Sequence, residues 1–336
     1  MPQSPLPQSP DDWYLFRGTA TPHPWVAPPS PPWRDFGGEP LPDRDPAAAA
    51  DRQAGELQRA RAYQAEPAEV ELVNVAMYLR RPLLITGKPG TGKSTLAYAI
   101  AHELGLGPVL RWPITSRSTL AEGLYHYDAI ARLQDANLAR YQGGVPPVIG
   151  HYVRLGPLGT ALLPYRTPQV LLVDEIDKSD IDLPNDLLNL FEEGEFRIPE
   201  LARDIGADAD VPVWAEHAAA PVPIRGGRVR CHEFPIVVMT SNGERDFAPA
   251  FLRRCVRLEL AEPARDRLER IVRAHLGSDL YEQAGDVIDR FLSRRTDGDL
   301  ATDQLLNAIF LTGAARPAAD HREHLVDTIL RHLTSS

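Results

Sequence analysis

Residues 82–95 run Pro-Leu-Leu-Ile-Thr-Gly-Lys-Pro-Gly-Thr-Gly-Lys-Ser-Thr, a pattern from which the architecture around it follows. A short apolar run, Pro82 to Thr86, passes through a glycine-rich turn into a helical stretch from Ser94 to Leu104. The order is strand, loop, helix. From Gly87 to Ser94 the spacing is G-x-x-x-x-G-K-S. At that spacing glycines let backbone N–H groups wrap phosphates, Lys93 reaches the β- and γ-phosphates, and Ser94 offers a hydroxyl to Mg²⁺. The candidate phosphate cradle is therefore Gly87, Lys88, Pro89, Gly90, Thr91, Gly92, Lys93, Ser94 and Thr95. Lysine usage sharpens the point, since Lys88, Lys93 and Lys178 are the chain's lysines among 36 lysine and arginine residues. A chain that uses arginine nearly everywhere keeps a compact ammonium where a phosphate needs a point charge on a thin stem.

Downstream, a second apolar run, Val170 to Val173, ends in Asp174-Glu175, and a third, Pro235 to Met239, ends in Thr240-Ser241-Asn242. Buried-looking strands with polar residues at their C-terminal ends are what a parallel sheet with a ligand crevice along that edge requires. Behind a phosphate cradle, Asp174 suits the Mg²⁺ shell beside Ser94, and Glu175 suits the polarising of an attacking water. Asn242 is placed to hydrogen-bond the γ-phosphate or that water from the other side. The paired arginines Arg253 and Arg254 precede a strand-like Val256-Arg257-Leu258 segment and project from the sheet edge toward a neighbour. Charge developing on a transferred phosphoryl group rewards an arginine supplied from outside the site.

At 336 residues the chain is longer than one core usually spans, which favours an α/β body plus a smaller unit. Hydrophobic residues at 43% and charged residues at 24% exclude global disorder. A net charge of -10 makes nucleic acid an unexpected partner and leaves protein or nucleotide as the default. Cys231 and Cys255 form neither a disulfide framework nor a metal-ligand spacing and read as inert thiols of a reducing compartment. His321 and His324 lack a third ligand at helical spacing and read as a solvated helix face. With no apolar run of membrane length and no leader pattern, the expectation is a cytoplasmic protein without a membrane partner.

Residues 1–46 hold 13 of the 32 prolines together with Trp13, Trp25 and Trp33, so this stretch is expected to be helix-free. It reads either as a plain tail or as an arm docked on its own core or a neighbouring subunit. From Ala47 to Arg80 the pattern turns helical with Pro67 as a separator, and beyond Pro263 it is helical to the end. The expected division is an arm and linker helix over 1–66, an α/β nucleotide-binding domain over 67–262, and a helical lid over 263–336.

Over about residues 67–310 the chain resembles the AAA+ ATPases, and within them the MoxR-like group. The resemblance rests on GKPGTGKST (87–95), GPLGTALLP (156–164), LLVDEIDK (171–178), PNDLLNLFEEGEF (184–196), VVMTSN (237–242) and FLRRC (251–255). Residues 114–119 with 124–128 resemble the second-helix region in which that group carries an insert. The resemblance implies a P-loop NTPase fold with a parallel sheet sandwiched by helices and a C-terminal all-helical lid. It casts 87–95 as Walker A, Asp174 and Glu175 as Walker B, Asn242 as sensor 1, and Arg254 as the arginine finger with Arg253 as the alternative. It further implies ATP with Mg²⁺, a ring that is usually a hexamer, and a von Willebrand factor A domain protein as the first candidate partner. One departure stands out: residues 299–305, where such lids place a sensor 2 arginine, contain none, and Arg294 and Arg295 just upstream are the substitutes. The leading expectation is an ATP-driven machine that remodels or activates a partner protein. The alternatives are a nucleic-acid motor or restriction-type NTPase of the same fold, and a slow, nucleotide-regulated scaffold.

Overall fold

The computed structural model describes residues 13–42, 53–145, 147–204, 209–295, 300–315 and 319–331. In chain order its strands are β1 (Leu83–Thr86), β2 (Leu110–Pro113), β3 (Tyr125–Tyr127), β4 (Val153–Leu155), β5 (Val170–Asp174), β6 (Glu195–Arg197), β7 (Asp210–Val213), β8 (Val222–Arg225), β9 (Arg228–Arg230), β10 (Ile236–Ser241) and β11 (Val256–Glu259). Five of them form one sheet in the order β11-β1-β10-β5-β2, with every neighbouring pair parallel. The side-chain period of two divides these strands between two cores. Leu83, Ile85, Leu172, Val238 and Leu258 face one core with helix Lys93–Glu103, while Leu84, Leu110, Leu171, Val173 and Met239 face the other. Burial on both sides is why β5 and β10 read as continuous apolar runs. Because all five strands run the same way, their C-terminal ends form one edge, with Gly87, Glu175 and Asn242 just beyond it.

Two small sheets flank this body. The hairpin β3-β4 brackets helix Ala129–Gln142, and β6-β9-β8-β7 form a four-stranded antiparallel sheet between β5 and β10. Their strands span three or four residues, too few to register as a sequence period.

The described part of the proline-rich stretch, residues 13–42, is an arm docked on its own body. The Asn74 side chain, fully buried in helix Pro67–Leu79, accepts the N–H of Leu15 (2.7 Å) and of Phe16 (3.1 Å) and donates to the Phe16 carbonyl (2.7 Å). The buried Glu103 carboxylate accepts the N–H groups of Arg17, Thr19 and Ala20. A carboxylate at a helix C-terminus is opposed by the helix dipole, and these three donors offset that cost. Trp25 Nε1 donates to the Leu104 carbonyl at 2.8 Å, whereas Trp33 stays exposed. The expectation of no helix here needs one correction: Pro32–Arg34 forms a single 3₁₀ turn, which proline at a helix start permits. Pro67 opens its helix rather than merely separating two. Residues 1–12 and 43–46 of that stretch, and 47–52 after it, lie outside the described residues.

After Pro263 the described chain is helical throughout. Helices Arg265–Leu276, Gly285–Arg295, Thr302–Ala315 and Ala319–Ile329 share a core of their own built on Leu268, Val272, Phe291, Leu305 and Val326.

Candidate nucleotide site

The loop after β1 has the backbone that a phosphate cradle needs. Gly87, Gly90 and Gly92 have φ of +151°, +76° and +90°, in the region that side chains avoid. A Cβ at Gly90 would stand 2.5 Å from Ala301 Cβ, so the loop touches the residue just before the lid helix Thr302–Ala315. Helix Lys93–Glu103 then begins, and its first N–H groups have no intrahelical acceptor, which makes its N-terminus a place for an anion. Lys93 is 7% exposed and its Nζ donates to the carbonyls of Gly87 (2.7 Å) and Lys88 (2.8 Å). Burial holds its ammonium below the usual lysine range, against the attraction of Asp177, Glu175 and Asp174.

β5 carries Asp174 to the same place. Its Oδ1 accepts from Ser94 Oγ (2.6 Å) and Thr240 Oγ1 (2.9 Å), and its Oδ2 from Arg111 Nη2 (2.9 Å). Burial alone would raise the Asp174 carboxyl; the bonds from Ser94, Arg111 and Thr240 outweigh it and hold the group below the usual carboxylate range. Ser94 and Asp174 thus converge as oxygen donors, the hard set that suits Mg²⁺ completed by phosphate and water. The residues present fit nucleotide and metal alike: glycine φ angles that bare N–H groups, a buried lysine, and an oxygen pair.

The chain turns sharply after Asp174. Glu175 has φ +63°, a left-handed conformation worth about 1–2 kcal/mol of strain for a residue with a Cβ. The turn is held by its N–H, which donates to Thr240 Oγ1 at 2.8 Å. It separates two adjacent carboxylates by direction: Asp174 faces Ser94, and Glu175 lies 2.8 Å from Lys178 Nζ and 3.4 Å from Asn242 Nδ2. Asn242 is fixed in turn, its N–H donating to Asp177 Oδ2 at 2.9 Å. The residues expected at the nucleotide, Gly87 to Thr95, Asp174, Glu175 and Asn242, therefore meet at one edge of the sheet.

Thr240, Arg111 and Asp177 belong to the site and had drawn no role from the sequence. Thr240 ends the third apolar run; Arg111 is one arginine among many on β2, whose Leu-Arg-Trp-Pro sequence carries no strand-length apolar run, and no local signal marks it.

A cavity of about 500 Å³ opens beside the loop, lined by Tyr63, Thr91, Arg267, His275, Thr302 and other residues of the linker and lid. Arg267, 8% exposed on the first lid helix, is bidentate to Glu69 at 2.6 and 3.0 Å. The two lid substitutes part ways: Arg294 bonds Asp327 and the Leu330 carbonyl, whereas Arg295 bonds the Pro263 carbonyl and lies 4.0 Å from Glu262, whose other oxygen is 3.2 Å from Lys88 of the loop. Arg267 is the lid arginine that lines the cavity. Asp299 of the expected sensor 2 stretch lies outside the described residues.

Arg253 and Arg254 lie elsewhere, just before β11 at the opposite, N-terminal edge. Val256 pairs with Leu83 and Glu259 with Thr86. β11 rises about 10 Å over the three steps from Val256 to Glu259, beyond which the cradle begins, and Arg253 and Arg254 sit in the turn before the strand. The pair is not brought to its own subunit's phosphate site.

A glycine loop of this geometry, followed by an aspartate bonded to the loop's serine and by an adjacent glutamate at the carboxyl edge of a parallel sheet, has the form of a P-loop nucleotide-binding site. Residues 82–255, just over half of the chain, match the AAA domain of the dynein-related subfamily, and the chain belongs to that family. It is an AAA+ ATPase in the general sense that membership carries. No curated protein matches the chain. None of the helices among the described residues is long and apolar enough to cross a membrane.

Proposed function

We propose that the chain is a Mg²⁺-dependent AAA+ ATPase of MoxR-like type that works as a ring, a hexamer by that resemblance, and remodels or activates a partner protein. One observation supports the hydrolytic part: the chain Ser94–Asp174–Thr240–Glu175, bonded end to end, turns two adjacent carboxylates apart, Asp174 toward Ser94 and Glu175 toward Asn242, which suits a metal role for the first and a water role for the second. Lys93 and the loop N–H groups hold the phosphates, and Ser94 and Asp174 hold the metal. Bound there, Mg²⁺ neutralises charge on the phosphate oxygens. Glu175 takes a proton from water as its oxygen bonds the γ-phosphorus and the bridging oxygen to the β-phosphate leaves, while Asn242 orients that water. The distance of Arg254 from its own cradle supports a finger given to the adjacent subunit.

A protein partner is supported by helix Ala129–Gln142, which buries none of its residues and leaves Ile130, Leu133, Leu138 and Tyr141 exposed. Apolar surface of this kind marks protein contact. A von Willebrand factor A domain protein is the first candidate, and the cytoplasm the compartment that two free, buried thiols suit. Action on nucleic acid is the second reading, favoured by one observation. Arg197 and Arg225 both pair with Arg228 across neighbouring strands, and like charges side by side cost stability. Carboxylates temper that row, with Glu195 on Arg228 and Arg230 and Glu39 on Arg225. Turnover measured with and without DNA or RNA separates the readings: the proposal expects no stimulation, and a large salt-sensitive stimulation overturns it in favour of nucleic acid.

A further inference from the structure

Away from the nucleotide, one acidic side chain gathers contacts from three parts of the chain. Glu192 lies near the end of helix Leu183–Glu193. Its Oε1 is 2.9 Å from Arg34 Nη2 of the N-terminal arm and 3.4 Å from Arg254 Nε. Arg34 is 5% exposed and gives a second bond, Nη1 to the Phe191 carbonyl at 2.8 Å. Phe36 closes on the same helix end: a Cβ on Gly194 would come within 2.2 Å of its ring, and that ring stacks on Phe234 at 5.5 Å. The arm is thereby locked against this helix end from two sides, and Glu192 extends the lock to Arg254.

Arg254 is held once more, through Nη1 to the Ala250 carbonyl at 3.3 Å. A guanidinium is a rigid planar fork, so the ion-pair contact at Nε and the hydrogen bond at Nη1 restrict the plane and leave the Nη2 donors to be presented. Among the described residues no bond is recorded for Nη2, and the side chain is 35% exposed. Arg253 differs: its residue is exposed and among the described residues its side chain has no recorded ion pair, only its carbonyl accepting from Arg81. An ion pair made to hide Arg254 would have covered Nη2 as well.

We propose that Glu192, fixed by Arg34 of the arm, is a positioning residue that pre-sets Arg254 for the nucleotide of a neighbouring subunit. This rests on the trans reading of Arg254 given above. It gives the proline-rich arm a role in hydrolysis without any contact to nucleotide. Pre-set geometry is what a trans contact rewards, since a misplacement of about 1 Å can cost about 10²-fold in rate.

The test uses full-length subunits in mixed rings. Donors carry Lys93→Ala and supply a finger with no working cradle; acceptors carry Arg254→Ala and supply the reverse. Turnover in the mixture arises only where a donor finger meets an acceptor cradle. Glu192→Gln, which keeps size and a half-exposed site, is then added to the donor or to the acceptor. The proposal expects about a tenfold fall in kcat with the donor placement, an unchanged nucleotide KM, and a far smaller fall with the acceptor placement. Arg34→Gln in the donor should lower kcat in the same sense by about threefold, as Glu192 loses one of its two anchors. Equal falls from both placements mark a merely structural role and overturn the proposal, as does no fall from the donor. If the parent mixture itself shows no turnover, the trans reading fails and takes this inference with it; if it turns over and donor Glu192→Gln does not matter, this inference alone is wrong.

Discussion

The two edges of the central sheet hold charged groups of equal importance and opposite construction. At the carboxyl edge, Ser94, Asp174, Thr240, Glu175 and Asn242 form a linked network within the subunit, and Lys93 is held beside it by the carbonyls of Gly87 and Lys88. At the amino edge, Arg254 is tethered by Glu192 and Ala250 and lies away from its own subunit's phosphate loop. The first edge gathers its groups within one chain, whereas the second presents an arginine away from them. On the proposed reading, the difference locates subunit contact in the chemistry: phosphate and metal would be held within one chain, and the charge that completes the transition state would come from a neighbour.

The largest effect expected tests the first edge. Lys93→Ala should abolish nucleotide binding, because the ammonium is the buried charge at the cradle, and calorimetry should register no heat of association. The next tests the second edge. Arg254→Ala should bind nucleotide normally and lose about 10³ to 10⁵ in kcat, the worth of a trans arginine, whereas Arg253→Ala should stay within about tenfold of wild type. A reversal of that order would transfer the finger to Arg253. Glu175→Gln should also bind, with kcat reduced by about 10² to 10⁴, since it removes only the group that takes the water's proton.

Smaller effects fall on the arm that links the edges. Asn74→Ala leaves the N–H groups of Leu15 and Phe16 without their acceptor and should cost about 3 kcal/mol in thermal unfolding, with proteolysis of the arm accelerated. The smallest is a pH effect at Asp174. Its carboxyl is held below the ordinary range in the folded chain, so the stability it adds is fully present above its unfolded value near 3.9 and is lost as pH falls through the lower folded value. The Tm difference between wild type and Asp174→Asn should therefore be constant above about pH 5 and shrink below about pH 4. A difference that grows on acidification would mean that burial, not the bonds from Ser94, Arg111 and Thr240, governs the group.

How much of this could be read in advance follows the same division. The carboxyl edge was legible because its groups come in tight local patterns: glycines and Lys93 within eight residues, and two carboxylates ending one apolar run. The order of strands was not, since β2 reads Leu-Arg-Trp-Pro, alternates buried and exposed residues, and ends in proline. Arg111 on that strand meets Asp174 from 63 residues away, a contact only the sheet order creates. The aromatic residues of the arm raised docking as one of two readings. The groups that receive it, Asn74 and Glu103, sit inside ordinary helices with nothing in the local sequence to mark them. Glu192 was hidden for the same reason: its partners lie at positions 34 and 254, and no spacing relates them.

The measurement that bears most directly on the central claim is ATP turnover in mixtures of Lys93→Ala and Arg254→Ala subunits, each inactive alone. One supplies a good arginine and a dead cradle, and the other the reverse, so an active site divided between subunits must reappear at some junctions. Turnover well above the sum of the two variants measured separately is the predicted result. No recovery, in mixtures that native mass spectrometry shows to share rings, would contradict the account and leave hydrolysis to groups within a single chain.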